Sequence, residues 1–384
     1  MTRGQTLGRA TRRAAVSPPA PQPNAQGFEI APDDPLRTFL ATSAGPVEID
    51  TLEFASPALD ALRRLGVALI VPLVSQGELI GVLNLGHRRS QRGYSRDDQK
   101  LLDDLAAHAA PAVRVAQLVR QQASEARARE RIAQELRVAQ LIQQQFLPKR
   151  LPALAGWQVA AYYRPAREVG GDFYDFIDLP GGLVGLVIGD VTDKGVPAAL
   201  VMATTHSILR GEAARLVSPG EVLARVNDHL VPDMPANMFV TCLYAVLDPR
   251  SGMLRYANAG HSLPYARTRS GVVELRAKGM PLGLMSGMDY EEHETFLAPG
   301  DGLLLHSDGL AEAHNPSKEM FGCPRMARLV GGSPGGQPLI DSLLRELGHF
   351  TTPAWDQEDD ITLVTMDRTL NVSGWTPPRR PGPA

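Results

Sequence analysis

Leu186-Val187-Ile188-Gly189-Asp190-Val191-Thr192-Asp193-Lys194-Gly195 is an apolar run that ends on an aspartate and a glycine-closed turn. An Asp in that setting is ordinarily a turn residue, because its side chain bonds nearby backbone N–H groups. Three other segments repeat the placement. Gly170-Gly171-Asp172-Phe173-Tyr174-Asp175 stands just before a strand, Ser307-Asp308-Gly309 follows Leu303-Leu304-Leu305, and Asp359-Asp360-Ile361-Thr362 opens a last apolar strand. Strands of this kind pack in one core, so their tips can converge. Converging carboxylates repel, and burial adds a desolvation cost. A divalent cation removes the problem, and a set of oxygen ligands selects Mg²⁺ or Mn²⁺ over zinc. Several carboxylates hold two such ions about 3.5–4 Å apart, with one Asp and a water between them, which suits in-line displacement at phosphorus. The expected chemistry is phosphate-ester hydrolysis.

Working outward, residues 157 to 366 alternate short strands, Gly-rich turns and a few helices. Strands are expected at Trp157 to Tyr163, Leu183 to Ile188, Phe239 to Asp248, Met253 to Asn258, Gly302 to His306 and Ile361 to Met366. Helices are expected at Pro197 to Gly211, Pro219 to Leu230 and Gln337 to Leu347. Strands with helices inserted in blocks make an α+β layered domain. Gly331-Gly332-Ser333-Pro334-Gly335 matches the G-x-S-x-G string of serine hydrolases, but that elbow needs a strand before the Ser and a helix directly after it. Here the preceding residues read as helix and Pro334 opens a loop.

Ahead of this region, residues 111 to 147 form a charged, helical stretch with apolar Val115, Leu118, Ile132, Leu136, Ala139 and Phe146; Gln122, Glu125 and Arg129 interrupt the stripe. A helix of this length must bury its stripe to be stable. A parallel two-stranded coiled coil, hence a homodimer, is the expectation; the other solution is a helix lying on its own domain. Pro148 is expected to end it. Further upstream, Val67 to Val74 reads as a buried strand with Pro72 at an edge or bulge, Ser75 to Glu78 as a hairpin turn, Leu79 to Leu85 as the return strand, and Ser95 as the N-cap of a helix.

Composition removes other classes. The chain has 384 residues, a two-domain length, with 39 Lys and Arg against 42 Asp and Glu, so nothing in the charge calls for nucleic acid. Two cysteines, Cys242 and Cys323, supply neither a disulfide framework nor a zinc site and fit a reducing cytoplasm. No apolar run is long enough for a membrane span, and the Arg-bearing start lacks an apolar segment of the secretory kind. The Pro-rich ends read as disordered.

Two resemblances follow from these residues. Gly81-Val82-Leu83, Tyr94-Ser95 and the helix after them resemble the second half of a GAF domain. With no cysteine there, a bilin thioether is excluded, and His87 and His108 are expected to be surface or core residues rather than haem ligands. Val169-Gly170-Gly171-Asp172-Phe173-Tyr174-Asp175, Gly189-Asp190-Val191 with Lys194-Gly195, Asn258-Ala259-Gly260-His261, Ser307-Asp308-Gly309 and Asp359-Asp360-Ile361-Thr362 resemble, in order and spacing, the SpoIIE-type metal-dependent protein phosphatases of the PPM family. The implied organisation is an arm over residues 1–27, a partial GAF-like sensor over 28–115, a linker helix over 116–150, a phosphatase domain over 151–368 and a tail over 369–384.

The resemblance implies a β-sandwich flanked by helix pairs, with two Mn²⁺ or Mg²⁺ ions at one edge between the sheets. Asp190 would bridge both ions, with the Val191 carbonyl assisting; Asp308 and Asp359 would hold one ion; Asp172 would act through water. Asp360 is the alternative for the last position. Asp175 and Asp193 are assigned other roles, Asp193 in the turn before Lys194. His261 is expected exposed near a turn, with a structural role favoured over a general acid. Arg164 and Arg167 are the nearest candidates for a phosphate-binding arginine. The implied substrate is phosphoserine or phosphothreonine on a STAS-type anti-anti-sigma protein, and residues 197 to 230 are the implied switch helices. Two other readings remain open: a pseudophosphatase scaffold, and a GAF-type ligand sensor as the working half.

Overall fold

The computed structural model describes residues 29–90, 92–352 and 355–370. The expected arm, and residues 371–384 of the expected tail, lie outside them. The chain divides into two units between Ala128 and Arg129.

The first unit holds α1 (Pro35–Thr42), β1 (Val47–Glu48), α2 (Pro57–Arg64), β2 (Val67–Ser75), β3 (Glu78–Gly86) and most of α3 (Arg96–Gln143). Its sheet is antiparallel in the order β1-β2-β3. Pro72 sits in the middle strand, yet β1 reaches only Leu69 and Ile70, so the missing N–H breaks no ladder on that side. Gln76 and Gly77 both take positive φ, 55° and 80°, the geometry of a tight hairpin turn. Asp34 binds the first turns of two helices together: its carboxylate accepts from Leu36 N at 2.9 Å, Ala58 N at 3.1 Å and Ser56 Oγ at 2.6 Å.

Ser95 caps α3 as expected, accepting from Asp98 N at 3.2 Å. The helix then runs through Pro111 as one element of 48 residues, where sequence reasoning separates a closing helix from a linker. Proline removes one N–H from the ladder, and the turns on either side carry the helix past it. The helix also stops before Pro148: a turn over 144–146 ends it. Along its middle and far part Val115, Leu118, Ile132, Val138 and Leu141 are exposed.

The second unit carries β4 (Trp157–Arg164), β5 (Phe173–Leu179), β6 (Leu183–Val191), α4 (Val196–Ala213), α5 (Pro219–Leu230), β7 (Val240–Leu247), β8 (Met253–Ala259), β9 (Tyr265–Thr268), β10 (Gly271–Glu274), β11 (His293–Phe296), β12 (Gly302–His306), α6 (Asp308–Ala311), α7 (Cys323–Gly332), α8 (Gly336–Phe350) and β13 (Ile361–Arg368). Two five-stranded antiparallel sheets form, ordered β10-β9-β12-β13-β4 and β11-β8-β7-β6-β5. Leu186, Leu243 and Leu254 of one meet Leu303, Leu305 and Val364 of the other in the central core. The outer face of the β6 sheet is covered by Met202, Leu209 and Leu223 of α4 and α5, and the outer face of the β13 sheet by Met326, Ile340 and Leu343 of α7 and α8. The result is a helix–sheet–sheet–helix stack, and each strand expected from the sequence is present. The serine of the G-x-S-x-G string lies between α7 and α8 with no strand before it, so no nucleophile elbow forms.

Candidate active site

The sheets present their acidic tips at one end. Asp190 and Val191 close β6, and Asp172 immediately precedes β5 in the same sheet. Asp308 opens α6 directly after β12, and Asp359 and Asp360 precede β13, both from the other sheet. Hydrogen bonds join the two halves. Thr362 Oγ1 donates to Asp172 Oδ2 at 2.5 Å, and Asp360 Oδ2 accepts from Gly171 N at 2.7 Å and Asp172 N at 3.2 Å. The other oxygen of Asp360 accepts from Ala166 N at 2.7 Å. Glycine is required for this approach: a Cβ on Gly170 would fall on the Asp360 carboxylate, and one on Gly171 would lie 2.7 Å from the Val191 carbonyl.

Gathering the acids raises their proton affinity. Asp190 is pushed up to about 8 by burial and then by the charges of Asp308 and Asp359, while a hydrogen bond from the Asp172 carboxyl works the other way. Asp172 is raised well above the usual carboxylate range by burial and by Asp190 and Asp360. Asp308 rises to about 6, through burial and the charges of Glu312 and Asp359, with Lys194 opposing. Like charges held together in a partly dry site prefer to be neutral or to meet a cation. Among the described residues no three acidic or imidazole side chains are already closed up as a ligand set.

Lys194 brings a cation to this cluster. Its ammonium lies 3.1 Å from Asp359 Oδ2 and donates to the Glu358 carbonyl. Asp193 holds the turn that aims it, taking a φ of 73° and accepting from Lys194 N at 2.8 Å. Arg167 also approaches, with Nη1 about 4.0 Å from where a Gly195 Cβ would stand.

His261 departs from expectation. It is buried, and burial first, then the neighbouring His306, pushes its imidazole down to about 3. An imidazole that stays neutral throughout the working range is no proton donor of the ordinary kind. It supports Asp190 from below instead: its Nδ1 lies 2.9 Å from Thr241 Oγ1, which is 3.4 Å from the Asp190 carbonyl. Asn258 fixes its turn by bonding both its backbone N–H and C=O.

Two contributors went unnoticed in the sequence. Gln143, the last residue of α3, is buried and clamps Gly170 from both sides, donating to its carbonyl at 2.6 Å and accepting from its N–H at 3.1 Å. Gln143→Ala leaves both backbone groups unpaired and should cost about 1–3 kcal/mol in urea unfolding, with faster amide exchange at Gly170. Tyr163 lies beside Gly170 with a buried hydroxyl that has no partner among the described residues, its pKa raised by burial and by Asp360 and Asp172. Neither residue sits in an acidic motif, so no local signal marked it. Asp175 is drawn away from the cluster, as expected, to His206 Nε2 at 2.9 Å and Arg210 Nη1 at 2.5 Å on α4.

Known proteins resemble this chain in sequence and fold. The family model described as Stage II sporulation protein E (SpoIIE) matches residues 180–369, and a GAF domain model matches residues 47–114. Protein IcfG of Synechocystis is 32% identical over 265 residues, which are 61% of this chain and 41% of that protein. Phosphoserine phosphatase RsbU of Bacillus subtilis is 30% identical over 247 residues, 62% of this chain and 71% of RsbU. The chain thus spans less than half of the first relative and over two thirds of the second. Among solved structures, the SiaA-PP2C domain of Pseudomonas aeruginosa matches with a TM-score of 0.56 at 26% identity, over 63% of this chain and 98% of that one. The two-sheet sandwich is of the PP2C kind. The chain belongs to the SpoIIE-type, RsbU-like phosphatase family and carries a GAF domain ahead of the phosphatase domain.

Proposed function

We propose that this protein hydrolyses phosphoserine or phosphothreonine on a protein substrate of the STAS, anti-anti-sigma type, under control of its GAF-bearing half. What carries the reading is the gathering of Asp172, Asp190, Asp308 and Asp359 from both sheets, with three of them raised in pKa by burial and mutual repulsion. A relative named phosphoserine phosphatase supports the reaction class.

The donor set fits hard divalent cations: the candidate ligands are carboxylates and the Val191 carbonyl, and the repulsion among them is what a cation relieves. Asp190, the Val191 carbonyl, Asp308 and Asp359 would hold two Mn²⁺ or Mg²⁺ ions, with Asp172 in support. Bound there, the ions would supply charge neutralisation for the phosphoryl group and a water of lowered pKa as nucleophile. The chain's own residues hold this arrangement. Thr362 orients Asp172, Asp360 ties the Gly171–Asp172 backbone to the other sheet, and Thr241, bonded to His261, reaches the Asp190 carbonyl. Lys194 places a positive charge at the rim, suited to a phosphoryl oxygen.

For the organisation of the chain we propose the sensor at 28–115, the linker at 116–150 and the phosphatase at 151–368. The exposed Val115, Leu118, Ile132 and Leu141 of α3 support a homodimer through that helix. No described helix is long and apolar enough to cross a membrane, and both cysteines are free, which supports a cytoplasmic setting.

Release of phosphate from a phosphoserine protein should require Mn²⁺ or Mg²⁺, vanish with a chelator, and be lost in Asp190→Ala and Asp308→Ala. Full activity after chelation would overturn the reading. Hydrolysis absent in the presence of tight Mn²⁺ binding would instead favour a scaffold.

A further inference from the structure

Beside Asp308 lies a hollow of about 310 Å³ that the acidic cluster does not account for. Leu263, Tyr265, Ala311, Met320 and Cys323 line it, and Asp308 belongs both to its wall and to the cluster. Tyr265 stacks on His306 at 5.5 Å between ring centroids, with 13° between the planes, which gives one wall a flat, rigid surface. Met320 stands 56% exposed, a large apolar side chain held at the surface although the second unit has three cores to bury it in. The charged residues that complete the lining are Glu274 and Glu312, with no Lys or Arg among them. Glu274 already has a partner in the exposed Arg276, at 3.2 Å, and Glu312 adds to the repulsion felt by Asp308.

We propose that this hollow is a specificity pocket for the phosphoprotein, resting on the phosphatase reading above: it takes an apolar side chain close in sequence to the phosphorylated serine, with a basic residue next to that side chain. Continuity selects this occupant. A polypeptide whose phosphoryl group sits at Asp308 passes the mouth of the hollow within a residue or two, because Asp308 lines both. Charge selects the flanking residue, since Glu312 lacks a cationic neighbour in the lining. Dehydrating an apolar side chain against Leu263 and Met320 favours binding, while an acidic residue there meets three carboxylates. Met320, adaptable in shape, accommodates more than one apolar residue type.

The test uses the full chain with Mn²⁺ and a set of phosphoserine peptides in which Leu or Asp is placed at successive positions on either side of the phosphoserine, with Arg or Glu beyond it. One position should show Leu preferred over Asp by about tenfold or more in kcat/KM, expressed mainly in KM, with a further gain from Arg over Glu. Met320→Glu should collapse the Leu preference. Modification of the exposed Cys323 thiol with N-ethylmaleimide should do the same in the wild type and not in Cys323→Ser; buried Cys242 is shielded from the reagent. Equal kcat/KM for Leu and Asp at every position, or a preference that survives both Met320→Glu and the thiol block, overturns the pocket. Hydrolysis of p-nitrophenyl phosphate by the unmodified protein separates the two levels: its absence sinks the phosphatase reading, whereas its presence with indifferent peptides sinks only this inference.

Discussion

Asp190→Asn should abolish phosphate release and at the same time make the metal-free protein harder to unfold. The first half follows from the position of Asp190 among the acids of both sheets; losing the charge of a proposed metal ligand there should cost roughly 10²–10³-fold or more in kcat. The second half follows from electrostatics. Asp190 is raised to about 8 and Asp308 to about 6, against 3.8 for an unperturbed Asp. For an acid whose folded pKa is raised, the folded state holds more protons than the unfolded state between the two values. Stability of the metal-free protein is therefore greatest on the acid side of this window and falls as pH rises from about 4 towards about 8. Asparagine keeps the shape and hydrogen-bonding capacity at position 190 and removes the charge at the centre of the repulsion, so the variant's stability should change less with pH. Thermal unfolding in a chelator at pH 5 and pH 8 measures both effects. Saturating Mn²⁺ should stabilise the wild type, by about 2.7 kcal/mol at a hundredfold excess over Kd, and so raise its midpoint, while leaving the variant nearly unmoved. A variant less stable than wild type at pH 8 in chelator would show that the acids do not oppose one another.

The acids and the strands that carry them were legible in the sequence because each signal is local: an apolar run, a glycine, an Asp. Asp190 and Asp308 lie where those runs end, as expected. What escaped reading depends on partners remote in the chain. His261 looked exposed beside a turn, yet it is buried, bonded to Thr241 of β7, and lowered in pKa by burial and by His306. Gln143 reads as one more polar residue on a charged helix; its importance lies in a bond to Gly170, 27 positions away. The stretch from Pro111 reads as a helix of its own, and yet it is continuous with the helix before it, because one lost N–H is a small fraction of the bonds along a helix of 48 residues. The short strands β9, β10 and β11 have only four residues each, too few for a period to register; β9 and β11 are held by pairing with the longer β12 and β8, and β10 by its hairpin with β9.

The doublet Asp359-Asp360 cannot be resolved by spacing, and the two side chains should separate in experiment. Asp360 is buried and accepts three backbone N–H groups, those of Ala166, Gly171 and Asp172. With both oxygens engaged in this way, its carboxylate is committed to holding the Asp172 loop against the other sheet. Asp360→Ala would leave those donors unpaired, the N–H groups of Gly171 and Asp172 in a buried place, so denaturant unfolding should show a loss of about 3 kcal/mol or more, at the upper end for single substitutions. Asp359 is partly exposed, and its ion pair is with Lys194 at the rim. An exposed pair of this kind contributes about 0–1 kcal/mol, so Asp359→Ala should unfold close to the wild type. Its effect should fall on the cation instead: calorimetric titration with Mn²⁺ should show affinity reduced by tenfold or more, along with loss of phosphate release. The conservative Asp360→Asn sharpens the contrast, since an amide retains one acceptor oxygen and turns the other position into a donor facing an N–H. It should recover only part of the stability lost in Asp360→Ala. If Asp359→Ala destabilises the fold while Asp360→Ala folds normally and loses Mn²⁺, the roles are exchanged, and the backbone hydrogen bonds to Asp360 yield to the metal when it binds.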